Sequence, residues 1–315
     1  MPMRVPLARL NDELGKTPDV LLCCASFEQR CTSIPTSLAG EALQHVLVFQ
    51  NRWLKGATQA NGRLLRNRFG RKTMAVQYDG LNPLSFADQA RIALNKVLTG
   101  SPQHYLVDVT TFTHENLLIL LSLLREIKRS DDTVTIAYAA AADYMIAGGE
   151  WLSRAFGDVR SVLGYPGEMR PSRAEHLIVM FGYEDERAER LIRMYEPAHL
   201  SVGHCQEFAA IAPNLHQRNL EFHGRLLQFR QQVHSFEFGC DDPYTACEHI
   251  LREAQRLPEY NAVVAPMNTK LSTVGAALAV FRQPSIQLCY VPARDYNEHG
   301  YSAPGDGCYI FELNL

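Results

Sequence analysis

Val20-Leu21-Leu22-Cys23-Cys24 leads into Ser26-Phe27-Glu28-Gln29-Arg30, and Leu177-Ile178-Val179-Met180-Phe181 leads into Tyr183-Glu184-Asp185-Glu186-Arg187. Both stretches are apolar runs of strand length that break into polar residues carrying an acid and an arginine, and they stand 157 positions apart. Continuous apolar runs this short belong to strands buried on both faces, as in parallel sheets. Four further blocks recur in the same order. Gly62-Arg63-Leu64-Leu65 returns letter for letter as Gly224-Arg225-Leu226-Leu227, 162 positions on. A strand-like block ending in Tyr78, with Asn82-Pro83 after it, matches one ending in Phe238, with Asp242-Pro243 after it, 160 on. Tyr105 to Thr113 parallels Ala262 to Lys270 at 157, and Ala142-Asp143-Tyr144 echoes Arg294-Asp295-Tyr296 at 152. Five colinear blocks at nearly constant spacing imply internal duplication, and a period this long means two copies of one domain rather than a solenoid.

Outward from these blocks, apolar runs alternate with segments of helical period. Strands are expected near 19–24, 44–49, 73–78, 104–109 and 133–139, with helices near 27–39, 57–69, 83–98 and 113–128. The second half repeats the order, with strands near 176–181, 198–202, 233–238, 261–265 and 286–291 and helices near 184–194, 215–229, 243–256 and 269–281. This predicts an α/β chain of two duplicated Rossmann-like domains, each a doubly wound, mostly parallel sheet, related by an approximate two-fold axis. A last strand, Cys308 to Leu313, reads as an antiparallel edge. The Gly- and Pro-rich stretch from Gly164 to Ser172 reads as the linker, which divides the chain into domains 1–165 and 170–315.

The length of 315 residues suggests two domains independently of the repeat. A 46% apolar content, 21% charged content and a net charge of -3 describe an ordinary globular chain, with nothing global that marks a nucleic-acid binder. No apolar run approaches the roughly 18 residues of a membrane span, so no membrane partner is expected. The first residues lack the apolar core of a signal peptide, which predicts a cytoplasmic location. Eight cysteines without a C-x-x-C pairing read as small buried hydrophobes in a reducing compartment. No cofactor and no metal site is expected; His199, His204 and Cys205 form only a loose cluster.

In open parallel sheets, ligands sit outside the carboxyl ends of the strands where strand order reverses. The loops after the first and fourth strands of each half are therefore the candidate sites, and they are also blocks that recur. After strand one, Ser26, Glu28 and Arg30 stand where Tyr183, Asp185 and Arg187 stand in the second half. An arginine fork suits phosphate and an acid suits a hydroxyl. The same residues also fit a structural reading, with Glu28, Glu184 and Asp185 complementing a helix N-terminus and the arginines paired to them. After strand four, Thr110, Thr111 and Thr113 correspond to Asn268, Thr269 and Lys270 at the start of the next helix. Hydroxyls and backbone N–H groups there can hold an anion, with Lys270 adding a charge, or can simply cap the helix.

Glu28, Asp185 and His114 are the candidate acids and bases if the chain is catalytic. His114 and Glu115 have no counterpart in the second half, where Leu271 and Ser272 stand. Tyr144 and Tyr296 can stack on a base or pack with their hydroxyls at the surface. The stretch 51–72 carries seven Lys and Arg and no acid, which fits either a nucleic-acid contact or a solvated helix face. The matching helix keeps Arg218, Arg225 and Arg230 but adds Glu221. There is no G-x-G-x-x-G after the first strand, no P-loop, no G-x-S-x-G and no H-E-x-x-H.

A doubly wound unit of this size, with ligand loops after strands one and four and an Asn-Thr-Lys or Thr-x-Thr step before the fourth helix, resembles the CRISPR-associated Rossmann fold (CARF) sensor domain. The resemblance implies two facing domains with a nucleotide or cyclic oligonucleotide between Ser26 to Arg30, Tyr183 to Arg187, Thr110 to Thr113 and Asn268 to Lys270. The family's glycine in the fourth-strand loop is missing from both halves, and no effector domain is fused. The expectation is a nucleotide-signal sensor or regulatory subunit of a prokaryotic anti-phage defence system, acting on a separate ATPase or nuclease. A phosphodiesterase or nucleotide hydrolase, and a ligand-free scaffold binding an ATPase or nuclease, are the alternatives.

Overall fold

A computed structural model describes residues 2–144, 151–207, 211, 213–228 and 232–315. The chain divides into two compact units, Met1–Ala142 with Ser302–Leu315, and Asp143–Tyr301. The first holds β1 (Met3–Pro6), β2 (Val20–Ala25), β3 (His45–Asn51), β4 (Thr73–Tyr78), β5 (His104–Asp108) and β6 (Thr133–Tyr144), and regains β15 (Ser302–Glu312) from further along the chain. The second holds β7 (Ser153–Phe156), β8 (Arg160–Ser161), β9 (Glu175–Met180), β10 (His199–Cys205), β11 (Val233–Phe238), β12 (Asn261–Pro266), β13 (Gln287–Tyr290) and β14 (Ala293–Tyr296). Helices α1 (Leu10–Glu13), α2 (Ser33–Ser37), α3 (Ala57–Phe69), α4 (Pro83–Val97) and α5 (His114–Ile127) belong to the first unit; α6 (Asp185–Tyr195), α7 (Pro213–Leu227), α8 (Pro243–Arg256) and α9 (Lys270–Arg282) belong to the second.

The first sheet runs β1-β15-β6-β5-β2-β3-β4, and the second runs β11-β10-β9-β12-β13-β8 beside a two-stranded β14-β7 ribbon. Read from β4 and from β11, the five core strands follow one order: third, second, first, fourth, fifth. All pair in parallel. This is a Rossmann-like α/β arrangement in each unit, with strand order reversing between β2 and β5 and between β9 and β12. β2, β5 and β12 are buried at every position, which requires helices on both faces. α5 and α9 supply part of that cover and are buried around most of their circumference, from Glu115 to Leu121 and from Leu271 to Val280. Gly275 lets α8 approach α9 closely: a Cβ there would stand 2.6 Å from the Pro243 carbonyl and 2.7 Å from Ala246 Cβ.

The correspondence between units extends to caps and fails in register. Asn82 and Asp242 cap α4 and α8, each followed by proline at the first helical position. Gly62–Leu65 and Gly224–Leu227 lie in corresponding helices, α3 and α7. However, Gly62 and Leu65 face the core in the first, whereas Gly224 is exposed and Leu226 buried in the second. The identical tetrapeptides are therefore out of phase by one residue.

Four expectations are corrected. The boundary lies near 142 and 302, so residues 143–165 belong with the second unit and 302–315 with the first. The supposed linker is packed: Tyr165 is fully buried and stacks on Phe281 at 5.8 Å, and its carbonyl accepts from Leu288 N. The final strand is internal, antiparallel to β1 and adjacent to β6, rather than an edge of the second domain. The helix expected over 27–39 is a 3-10 turn, Gln29–Thr32, followed by the five-residue α2 that contains Pro35. A proline removes a backbone donor, and short helical pieces result. Phe229 and Arg230 fall outside the described residues.

Candidate functional site

The loops after the first strand turn inward. Arg30 is 3% exposed and Arg187 5%. Arg30 donates from Nε and Nη2 to Glu28 Oε2, at 3.1 and 2.5 Å, and from Nη1 to the Ala139 carbonyl at 3.0 Å; Ser302 Oγ donates to the same Glu28 oxygen at 2.6 Å. Arg187 donates from Nε to the Val291 carbonyl at 2.7 Å and from Nη1 to Glu184 Oε2 at 2.8 Å, and Ser153 donates to Glu184. The two braces match part for part. Ala139 and Val291 are 152 positions apart, the spacing of the Asp-Tyr blocks. Because β5 lies between β2 and β6, and β12 between β9 and β13, each guanidinium spans the end of the fourth strand. It covers the edge where ligands of open α/β sheets sit, with its charge already balanced by the chain's own carboxylate.

The partner in the second unit is Glu184, not Asp185, which pairs instead with Arg225 at 3.1 Å on the surface. The one-residue difference is geometric. Arg187 is three residues beyond Glu184 on α6, a spacing that brings helical side chains together, whereas Arg30 reaches Glu28 within a 3-10 turn. Ser26 is buried; its Oγ accepts from Glu28 N and its carbonyl from Asn61 Nδ2 at 2.8 Å. Asn219 does similar work in the second unit, donating to the Phe181 and Gly182 carbonyls at 3.2 and 2.6 Å. At Gly182 the backbone runs so close to Met267 O that a Cβ has no room.

The fourth-strand loops are also tied down. Thr111 Oγ1 donates to the Cys24 carbonyl at 2.6 Å, and Asn268 Nδ2 donates to the Phe181 carbonyl at 2.5 Å. These pairs stand 157 positions apart on both sides, each sealing a carbonyl at or just past the end of the first strand. Thr113 and Thr269 cap α5 and α9 by accepting from Asn116 N and Ser272 N. Thr269 Oγ1 also donates to the Cys240 carbonyl at 2.5 Å. Lys270 and His114 are the first residues of α9 and α5, both half-buried.

Asp108, unremarked in the sequence, ends β5 inside an apolar run and is 2% exposed. Its Oδ1 accepts from Thr110 N at 3.0 Å and Thr110 Oγ1 at 2.5 Å, while Thr110 Oγ1 accepts from Ala139 N. Burial pushes its carboxyl up to about 7, against the opposing pull of Thr110's donors and the Arg30 charge. The signal was an acid in an otherwise apolar strand. The second unit has Ala265 at the matching place.

Tyrosines gather in the second unit. Tyr144 lies 5.8 Å from Tyr183 and 6.3 Å from Tyr301, which is 6.3 Å from Tyr296, all four half-buried. Arg218 holds this cluster in place through Asp143 at 2.9 Å and the Tyr144 carbonyl. Asp295 pairs with Arg154 at 2.6 Å.

Most cations of 51–72 are used within the unit. Arg68 donates to the Pro35, Thr36 and Leu38 carbonyls, Lys72 to those of Gly40 and Glu41, Arg66 to Gln50, and Arg52 pairs with Asp79. This supports the structural reading of that stretch. None of the eight cysteines forms a disulfide and all are buried, and burial lifts the Cys31, Cys289 and Cys308 thiols to about 12.

No family model matches the chain, and no curated protein matches it in sequence. Among solved structures, a putative universal stress protein from Pseudomonas aeruginosa UCBPP-PA14 aligns at 13% identity over 86% of this chain and 92% of its own, with a TM-score of 0.26. An ABC transporter solute-binding protein from Burkholderia multivorans aligns at 9% over 86% and 77%, TM-score 0.28. The Haemonchus contortus phosphoethanolamine N-methyltransferase 1, solved with phosphoethanolamine and S-adenosylhomocysteine, aligns at 8% over 82% and 72%, TM-score 0.25. Likenesses this weak assign neither family nor function. Among the described residues, no helix is long and apolar enough to cross a membrane.

Proposed function

We propose that this chain is a nucleotide-signal sensor, a cytoplasmic regulatory subunit of a prokaryotic anti-phage defence system that acts on a separate effector protein. The defence setting rests on the resemblance of layout to CARF sensor domains. The nucleotide reading rests on one observation: four half-buried tyrosines, Tyr144, Tyr183, Tyr296 and Tyr301, cluster on the second unit. Aromatic platforms of this kind stack on bases at about 1–3 kcal/mol per base. In this reading Tyr183 and Tyr296 contact the base, while Lys270 and the N-terminal amides of α9 receive a phosphate. Arg30 and Arg187 position the loops and do not touch the ligand.

The test has two steps. Mass spectrometry of material released from heat-denatured, purified protein identifies any nucleotide carried. Calorimetric titration with a panel of nucleotides and cyclic oligonucleotides then compares wild type with Tyr183→Ala and Lys270→Met. Each variant is expected to bind about ten-fold more weakly, on the order of 1.4 kcal/mol. Unchanged affinity in both, or no binding by wild type, removes this reading. A ligand-free scaffold is the second reading, and the braces favour it, since in both units the chain's own guanidinium covers the end of the fourth strand.

A further inference from the structure

The first sheet ends in β4, which pairs with β3 on one side and packs against α3 and α4. Sheet edges are normally blunted by charge, proline or shortness. The other edges of the two larger sheets follow that rule: β1 has four residues with Arg4 and Pro6, β8 has two, and β11 carries Glu237. In contrast β4, Thr73-Met74-Ala75-Val76-Gln77-Tyr78, has six residues, no charge and no proline. Apolar exposure gathers around it. Of the eight large hydrophobics exposed among the described residues, six belong to α3, α4 and their adjoining loops: Trp53, Leu64, Leu81, Leu84, Ile92 and Leu98. Exposed apolar residues concentrated in this way mark an interaction surface.

Charge says what covers it. Asp88, Ile92 and Lys96 stand four apart on α4, so they form one stripe, and all three are exposed, Ile92 to 48%. Helix α4 packs on α5, and a stripe this exposed is not the side that α5 covers. It reads acid, apolar, base. Laid antiparallel to a copy of itself, it sets Ile92 against Ile92 of the partner subunit and each Asp88 against Lys96 of the partner subunit. The strand has the same symmetry. Phe86 packs edge-on to Tyr78, with ring centroids 4.9 Å apart, which puts α4 and β4 at one height there. From Phe86 to Ile92 the helix runs back about 9 Å at about 1.5 Å per residue, and from Tyr78 to Ala75 the strand covers about 10 Å at about 3.3 Å per residue. Ile92 and Ala75 are therefore level, and one two-fold axis perpendicular to the sheet serves both. Through Ala75 it opposes Thr73 to Gln77 of the partner subunit and Met74 to Val76 of the partner subunit, with no like charges facing each other. We propose that the chain forms a homodimer through this face, in which β4 pairs antiparallel with its counterpart, the two sheets become one, and Asp88 and Lys96 pair twice across the axis. No nucleotide takes part.

Sedimentation velocity on the full chain is expected to show a dimer, and hydrogen exchange to show the β4 amides better protected at high than at low protein concentration. Lys96→Glu and Asp88→Lys each set like charges against one another and are expected to weaken dimerisation about ten-fold or more. The double variant Asp88→Lys with Lys96→Asp is expected to restore it. Ala75→Arg, which places two arginines on the axis, is expected to give a monomer, and far-UV circular dichroism checks that each variant is folded. A monomeric wild type, which would leave the edge to a different protein, would overturn the proposal. So would a dimer that Lys96→Glu leaves intact, a double variant that does not regain pairing, or concentration-dependent protection confined to other strands.

Discussion

The carboxyl edges of the two units share a brace and differ in almost everything chemical. Arg30 with Glu28 and Ser302, and Arg187 with Glu184 and Ser153, act alike, since each set ties the loop after the first strand to a carbonyl, that of Ala139 within the fifth strand or of Val291 just past it. Beneath the braces the units part. The first has Asp108 where the second has Ala265, and the second has Tyr183 where the first has Ser26. What recurs is the means of fixing loops; what does not recur is the set of groups able to stack, titrate or hold charge. A repeated arginine is thus no guide to a ligand, because structural demands repeat with the fold.

The largest effect should come from breaking the brace. Arg187→Ala and Arg30→Ala each leave a largely buried glutamate without its cation, a loss of about 3–5 kcal/mol. For a unit of this size the melting temperature should fall by roughly 10 °C. Wild-type melting curves for both variants would remove the brace from the account and return the arginines to a ligand.

Asp108 sharpens the contrast between units. Its carboxyl is raised to about 7 in the fold, so folding favours the protonated form. The stabilising effect of that proton is present below the ordinary aspartate range and is lost as pH climbs from there through about 7. Three pKa units correspond to about 4 kcal/mol at most. Urea unfolding of Asp108→Asn should therefore show little change between pH 5 and pH 8 from this source, whereas wild type should be less stable at pH 8. A wild-type stability that rises with pH over this window in the first unit's transition would contradict the burial argument.

Smaller effects test how evenly the loops are fixed. Asn219→Ala removes donors to two carbonyls and the acceptor for Cys205 N, and should cost about 2 kcal/mol. Asn61→Ala, which removes the bond to Ser26 O and a contact to the Cys31 thiol, should cost about 1 kcal/mol. Equal losses would mean the two loops are held alike. Comparable to Asn61→Ala are the caps: Asn82→Ala and Asp242→Ala should each cost about 1 kcal/mol, because both cap the same helix of the shared layout.

The strands were legible because strands buried on both faces are written as unbroken apolar runs, and β4, β11 and α8 match the expected bounds. The helix over 27–39 was not, since Pro35 shortens it and the preceding turn is 3-10. The domain boundary was misread because a Gly- and Pro-rich segment resembles a linker whether or not it is packed. Tyr165, buried against Phe281, shows that its neighbours could not decide this. Of the site, Arg30 and Arg187 were found but not their direction, which depends on carbonyls more than a hundred residues away. Glu184 was hidden by a one-residue slip in register. Asp108 was visible in principle, as an ionisable residue within an apolar strand.

β15 is synthesised only after the whole of the second unit has been made. Until then β1 lacks its antiparallel neighbour, β6 lies at an open edge, and Glu28 lacks the hydroxyl of Ser302. Domains usually mature in the order in which they leave the ribosome. Here the second unit has all its strands in hand first, while the earlier part of the chain waits with an unpaired edge, open to unwanted pairing or to a chaperone. A nascent chain stalled before Ser302 should be cut by protease within residues 1–142 sooner than within 151–301.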